Sequence, residues 1–256
     1  MLPQDAQTAP SLEKDESQWL KSELLTCIND EIRTPLTGAV GMAYLLLETH
    51  LDEEQKEYAL SAQTCAEEAL ERLSMLVELS ALAAGQFTLD EGDFLLPQVL
   101  KSAAALVAEE ARTKGVTMSV TWSEDLPGLA VGDAVRLRRI LTQLLGNAVR
   151  FTERGEIGLY AGWRPSAPGS FRLEVEVRDA GSGMWPEQLR FLFERSEAGP
   201  KRQLAGGGLS LALVRELAVA MGGQMHAQSV PGKGTVVSFW VPLRKSSVQV
   251  GSLSAA

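Results

Sequence analysis

The 256-residue sequence predicts an α+β protein: a long helical hairpin first, then helices layered on one face of a mixed sheet. Three observations point there. Apolar residues recur at three- and four-residue steps through the first third of the chain. After Gly85 the texture changes to short alternating stretches between helical ones. The order that follows is helix, strand, helix, strand, strand, helix, strand, strand, which suits helices packed on one side of a sheet.

From about Ser17 to Thr49, Leu25, Ile28, Ile32, Ala39, Ala43 and Leu46 mark one helix. Pro35 lies inside it, removes a backbone donor and is expected to bend it. "THLDEEQ" turns the chain, with Asp52 and Gln55 spaced as a capping box. The second helix runs to Ala84, with a heptad-like stripe of Tyr58, Ala62, Cys65, Ala69, Leu73, Leu76 and Ser80, and Gly85 as its stop. Two long antiparallel helices cannot bury both of their faces alone. A four-helix bundle made by two copies is the economical solution, so a homodimer built on residues 17–84 is expected.

"AGQFTLDEGDF" reads as a connector. Beyond it, Leu96 to Lys114 reads as a helix, 116–122 as a strand, Asp133 to Phe151 as a strongly amphipathic helix, and 156–163 and 170–179 as strands. Phe171, Leu173, Val175 and Val177 alternate cleanly. A helix over 209–221 and strands over 224–229 and 234–242, joined by "VPGKG", complete the order. The domain plan is 1–16 disordered or linker, 17–84 hairpin, 85–95 linker, 96–245 mixed domain and 246–256 tail.

Hydrophobic residues make up 45% of the chain and charged ones 22%, an ordinary globular balance, while a net charge of −9 argues against nucleic acid or direct contact with an anionic membrane. No run approaches the ~18 apolar residues of a spanning helix, and no signal-peptide pattern opens the chain. The cytoplasm is the predicted compartment, whether the chain stands alone or forms the soluble part of a membrane-anchored sensor. Cys27 and Cys65 read as buried reduced thiols.

Three stretches carry chemistry. In "QLLGNAVRFT", Gln143 and Asn147 lie one turn apart on one helical face and Arg150 follows; a carboxamide oxygen is a hard neutral ligand that suits Mg²⁺. In "RDAGSGM", Asp179 ends a strand and Gly181 and Gly183 let backbone approach a ligand; its carboxylate suits an exocyclic amine such as adenine's. In "LAGGGLSLALV", glycines run into a helix, whose N-terminal amides suit phosphate. Taken singly, Asn147 is more often a helix-surface or packing amide, and Asp179 more often a strand-to-turn residue.

Taken in order, the stretches resemble the sensor histidine kinases of two-component signalling. "NAVRFT", "DAGSG", "FLFER" (191–195) and "GGGLSL" are similar to that family's asparagine, first glycine, phenylalanine and second glycine boxes. "EIRTPLTGAVGMAYLL" resembles its acceptor helix, and "AGQFTLDEGDF" the linker of its hybrid subclass, which carries receiver domains downstream. The resemblance covers roughly residues 17–245. It implies a dimerising phosphotransfer hairpin followed by a gyrase/chaperone/histidine-kinase type ATP-binding α/β sandwich. It also implies ATP and Mg²⁺ as cofactors. By position, Asn147 is the Mg²⁺ ligand, Arg150 a nearby cation, Asp179 the adenine contact with Gly181 and Gly183 beside it, and the amides of Gly206, Gly207, Gly208 and Leu209 the phosphate cradle.

The resemblance breaks at the acceptor. Where the family reads Ser-His-Glu-Ile-Arg-Thr-Pro, this chain reads Asn29, Asp30, Glu31, Ile32, Arg33, Thr34, Pro35. A carboxylate beside Glu31 repels a triphosphate and is a weaker nucleophile than neutral imidazole. Ordinary autophosphorylation is therefore expected to be absent. Glu31 and Thr34 keep the spacing that the family uses to position a water for dephosphorylating a response regulator. Milder departures are Gln143 at the usual first Asn or acid, Arg150 for Lys, and Ser210 for the third glycine of its box. The implied role is a signalling regulator that pairs with itself or another sensor kinase and acts on that kinase or on a response regulator or receiver domain. The alternatives are a kinase acting in trans on a heterodimer partner's histidine and an interaction module with a relic pocket. A gyrase-type ATPase is disfavoured because the Gln143 amide cannot act as a general base.

Overall fold

The computed structural model describes residues 30–193 and 208–247. The chain divides between Phe87 and Thr88 into two compact units. Within the first, helix α1 occupies residues 30–47 and continues through Pro35. Helix α2 spans Glu53–Ala83. The predicted capping box is in place: Gln55 N donates to Asp52 Oδ1 (2.8 Å) and Asp52 N to Gln55 Oε1 (3.2 Å). Arg33 Nη2 donates to Ser74 Oγ at 2.9 Å and ties the two helices together.

Each helix of this unit buries only one side. Leu36, Val40, Ala43 and Leu47 of α1 are half-buried, and Ala59, Ala66 and Met75 of α2 are buried. Ile32, Met42, Leu45 and Leu46 stay exposed, as do Tyr58 and Leu60. Cys65, expected to be buried, is exposed. It lies on the Tyr58–Ala62–Cys65 part of the stripe, one position round the helix from the buried Ala59–Ala66 side. Cys27 and the rest of the helix N-terminal to residue 30 lie outside the described residues.

In the second unit, β1 (Gly92–Leu95), β2 (Thr117–Trp122), β3 (Leu129–Gly132), β4 (Glu156–Pro165), β5 (Ser170–Asp179), β6 (Gln224–Val230) and β7 (Gly234–Lys245) form one mixed sheet. Its order is β1-β3-β7-β5-β4-β2, and β6 pairs with the first part of β7. Only β2–β4 is parallel among the described pairings. Helices α3 (Leu96–Thr113), α4 (Ala134–Phe151) and α6 (Gly208–Ala220) cover one face, and α5 is Pro186–Phe193. The alternation of β5 delivers Phe171, Leu173, Val175 and Val177 into the core, to which the helices contribute Leu100, Leu137, Ile140, Leu141, Leu213 and Leu217, all buried.

Two residues fix the ends of α4. Asp133 caps its start, accepting from Arg136 N (2.9 Å) and from Asp90 N (3.0 Å). Lys114 donates from Nζ to the Val149 carbonyl (3.0 Å), a cation at the negative end of the helix. The stretch 85–95, read as linker, is not all connector: Gly92–Leu95 is a strand paired with β3. Four-residue strands are too short to show a period. Among the described residues no helix is long and apolar enough to cross a membrane.

Candidate functional site

In the second unit, the C-terminal end of β5 brings Asp179 to a half-buried position. Its Oδ1 accepts from Gly181 N (2.9 Å) and Thr235 N (3.1 Å). Both donors fall on one oxygen, Oδ1. Burial pushes the carboxyl above the usual carboxylate range and outweighs the downward pull of those two amides. A Cβ on Gly181 would press on the Phe151 carbonyl oxygen and on Asp179 Oδ1, so the loop sits directly against the end of α4.

The β6–β7 turn holds this loop in place. Gly232 N donates to Ser182 O (2.7 Å). Met184 N donates to Ser229 Oγ (2.7 Å), which also lies 2.9 Å from Thr235 Oγ1. The backbones approach so closely that a Cβ on Gly183 (φ 65°) would run into the Val230 carbonyl, and one on Gly234 (φ 91°) into the Asp179 carbonyl. Gly183→Ala and Gly234→Ala are each expected to cost about 3 kcal/mol or more, combining left-handed strain with backbone displacement. Gly232 has the same sign of φ (74°) but open space around it, and Gly232→Ala should cost only about 1–2 kcal/mol. Equal losses for all three in chemical denaturation would contradict the close packing.

Thr152, at the C-cap of α4, was not singled out from sequence. It is fully buried, and among the described residues its Oγ1 has no hydrogen-bond partner. Leaving a buried hydroxyl unpaired costs about 1–3 kcal/mol, and its neighbour Phe151 touches the Asp179 loop through its carbonyl. The only readable signal was its place closing "NAVRFT".

One turn before Phe151 on α4, Asn147 Nδ2 donates to Ser210 Oγ (2.8 Å), and Ser210 Oγ donates to Gln143 Oε1 (2.9 Å). Gln143 and Ser210 are buried, and Asn147 is half-buried. Arg150 is exposed, its guanidinium 5.9 Å from the Phe151 ring centre. Gly208 and Leu209 open α6, whose first amides have no intrahelical acceptor; Gly206 and Gly207 lie outside the described residues. The donor set fits Mg²⁺, which accepts one or two protein oxygens and takes the rest from phosphates and water; a neutral carboxamide oxygen such as that of Asn147 meets that demand.

In the first unit, Asp30, Glu31 and Thr34 are all exposed on α1. Thr34 Oγ1 donates to the Asp30 carbonyl at 3.0 Å, which turns its acceptor lone pairs outward. The structure thus groups Asp179, Gly181 and Gly183 at one locus, Asn147 with Gln143 and Ser210 at another, and Asp30, Glu31 and Thr34 on α1.

Comparison with known proteins agrees with this layout. Residues 20–85 match the His Kinase A (phospho-acceptor) domain, and residues 132–245 the Histidine kinase-, DNA gyrase B-, and HSP90-like ATPase. The chain is 32% identical over 229 residues to the signal transduction histidine-protein kinase BarA of Escherichia coli K12, covering 88% of this chain and 25% of BarA. It is 34% identical over 243 residues to the sensory/regulatory protein RpfC of Xanthomonas campestris pv. campestris, covering 90% and 33%. The chain therefore spans a quarter to a third of these relatives. Among solved structures, full-length ShkA in complex with AMPPNP superposes with a TM-score of 0.66 at 31% identity, over 88% of this chain and 47% of that one. With a phospho-acceptor-type hairpin followed by the ATPase sandwich, the chain belongs to the histidine kinase family.

Proposed function

We propose that this chain is the core of a two-component sensor kinase whose acceptor position is held by Asp30, and that it works as a signalling regulator. It binds Mg²⁺-ATP, dimerises through residues 17–84 and acts in the cytoplasm on a partner kinase, or on a response regulator or receiver domain, without phosphorylating itself. The single observation that carries this reading is the pairing of an organised Asp179 pocket with a carboxylate at the acceptor position.

At the pocket, Asp179 Oδ2 accepts from the adenine amine while Gly181 N and Thr235 N hold Oδ1. The buried Thr152 hydroxyl serves the same ligand. Gly206, Gly207, Gly208 and Leu209 supply amides to the phosphates, Arg150 adds positive charge, and Asn147 presents its carboxamide oxygen to Mg²⁺. The AMPPNP bound by ShkA supports a nucleotide of this shape. The metal supplies charge neutralisation at the phosphates.

On α1, Asp30 neighbours Glu31 and faces solvent. Two adjacent carboxylates repel a γ-phosphate. Glu31 and Thr34 lie on one helical face, where the carboxylate and the outward lone pairs of Thr34 orient a water toward a partner's aspartyl phosphate. The exposed side carrying Ile32, Met42, Leu46, Tyr58 and Cys65 supports the dimer.

Titration with a fluorescent ATP analogue in Mg²⁺ tests the pocket: saturable binding is expected, and none at millimolar nucleotide ends the reading. A receiver domain labelled by another donor tests the second step. Faster loss of label with the chain, abolished by Thr34→Val, is expected; an unchanged rate removes the phosphatase role.

A further inference from the structure

Two departures from the family pattern, Gln143 on α4 and Ser210 on α6, are 67 residues apart in sequence yet hydrogen-bonded to each other at 2.9 Å. Both side chains are 5% exposed. Ser210 has one proton, and it goes to Gln143 Oε1; its lone pair receives Asn147 Nδ2. That commits the Asn147 amide nitrogen to the interface between α4 and α6. Among the described residues nothing else bonds its carboxamide, which leaves the oxygen as the end that this interface does not engage.

A glycine at 210 has no hydroxyl, and the chain Asn147–Ser210–Gln143 could not form. A shorter asparagine at 143 would draw the amide back by one methylene from the Ser210 hydroxyl. Each departure therefore accommodates the other: the extra methylene of Gln143 reaches the extra hydroxyl of Ser210. Two independent losses in a decaying pocket would leave buried polar groups unpaired, at about 1–3 kcal/mol each. Here they satisfy one another.

We propose that Ser210 and Gln143 are a matched positioning pair that holds the Asn147 carboxamide with its oxygen toward the Mg²⁺ of a bound nucleotide. This rests on the nucleotide-binding reading above. The pair touches neither metal nor nucleotide; it acts through Asn147 by fixing which end of the amide faces the ligand.

The test is the Mg²⁺ dependence of binding of a fluorescent ATP analogue, taken as the ratio of Kd in EDTA to Kd in Mg²⁺. It is measured for the wild-type chain, Ser210→Gly, Ser210→Ala and the double variant Gln143→Asn/Ser210→Gly. Loss of one neutral hydrogen bond predicts a ratio lowered about three- to tenfold in both single variants. Kd in EDTA should move by less than about twofold, because adenine and phosphate contacts are untouched. The double variant, which carries the family's own residues at both positions, should recover the wild-type ratio. An unchanged ratio in both single variants overturns the proposal, as does a double variant no better than Ser210→Gly. Equal weakening with and without Mg²⁺ would make Ser210 a packing residue and also overturns it. A wild-type chain that binds no nucleotide removes the nucleotide reading and this inference together, whereas wild-type binding with an unaltered Ser210→Gly ratio removes the inference alone.

Discussion

On the proposed reading, Asp30→His is expected to give a chain that takes up covalent phosphate where the wild-type chain takes up none. Neutral imidazole is a good nitrogen nucleophile near pH 7. The native carboxylate is a poor one and stands beside Glu31, where a second negative charge adds to the repulsion of an approaching polyanion. Removing a catalytic nucleophile commonly costs several orders of magnitude, so its return should raise phosphoryl incorporation by on the order of a hundredfold or more above wild type. Position 30 is exposed, and substitutions at exposed positions usually change stability by about 0.5 kcal/mol or less. The hairpin that carries it is held by Arg33–Ser74 and by the Asp52 cap, neither of which involves position 30. The label should be acid-labile and Mg²⁺-dependent. Its absence from an Asp30→His chain that still binds nucleotide would show that more than the acceptor has been lost.

Asp179→Asn is expected to separate ligand binding from stability. The amide oxygen of Asn can still accept from Gly181 and Thr235, so the loop stays in place. In the proposed nucleotide complex the second position changes from an acceptor into a donor and would meet the adenine amine donor-to-donor. A lost charge-assisted hydrogen bond of about 1.5–3 kcal/mol corresponds to a fall in nucleotide affinity of roughly ten- to a hundredfold. Stability moves the other way. Because burial raises the Asp179 pKa, the folded chain holds that proton more tightly than the unfolded chain. The ionised carboxylate therefore costs stability, and this cost is absent below the ordinary carboxylate pKa and complete above the raised one. The Asn variant should equal wild type in the acid range and become the more stable of the two as pH rises through the carboxylate range toward neutrality. Melting curves across that range check the sign. A variant that is destabilised at neutral pH would mean that Asp179 is a structural residue first.

Much of the second unit was legible because its elements are long and strongly periodic. Helix α4 and strand β5 announce themselves through Leu137, Ile140, Leu141 and Leu144 and through the alternation from Phe171 to Val177. The four-residue strands β1 and β3 and the eight-residue α5 give no such pattern, although Pro186 at the start of α5 was a usable signal. Cys65 was misjudged for a different reason. A helix with apolar residues on two sides does not say which side its own partner helix covers. Gln143 and Ser210 were visible as separate departures, but only the packing of α6 on α4 makes them one unit. Thr152 was hidden because a hydroxyl at a helix end reads as an ordinary cap; its burial without a partner is a property of the folded chain alone. The glycines of the Asp179 loop were visible as glycines. What they approach, the carbonyls of Val230 and Asp179, depends on the distant β6–β7 turn.

The most direct measurement is a single incubation of the wild-type chain with Mg²⁺ and ATP carrying radioactive label in its γ-phosphate, read twice: once for bound nucleotide by filter retention and once for label that survives denaturation. The account predicts saturable retention with no covalent label above background. Covalent label on the wild-type chain would contradict it, and so would a chain that retains no nucleotide at all.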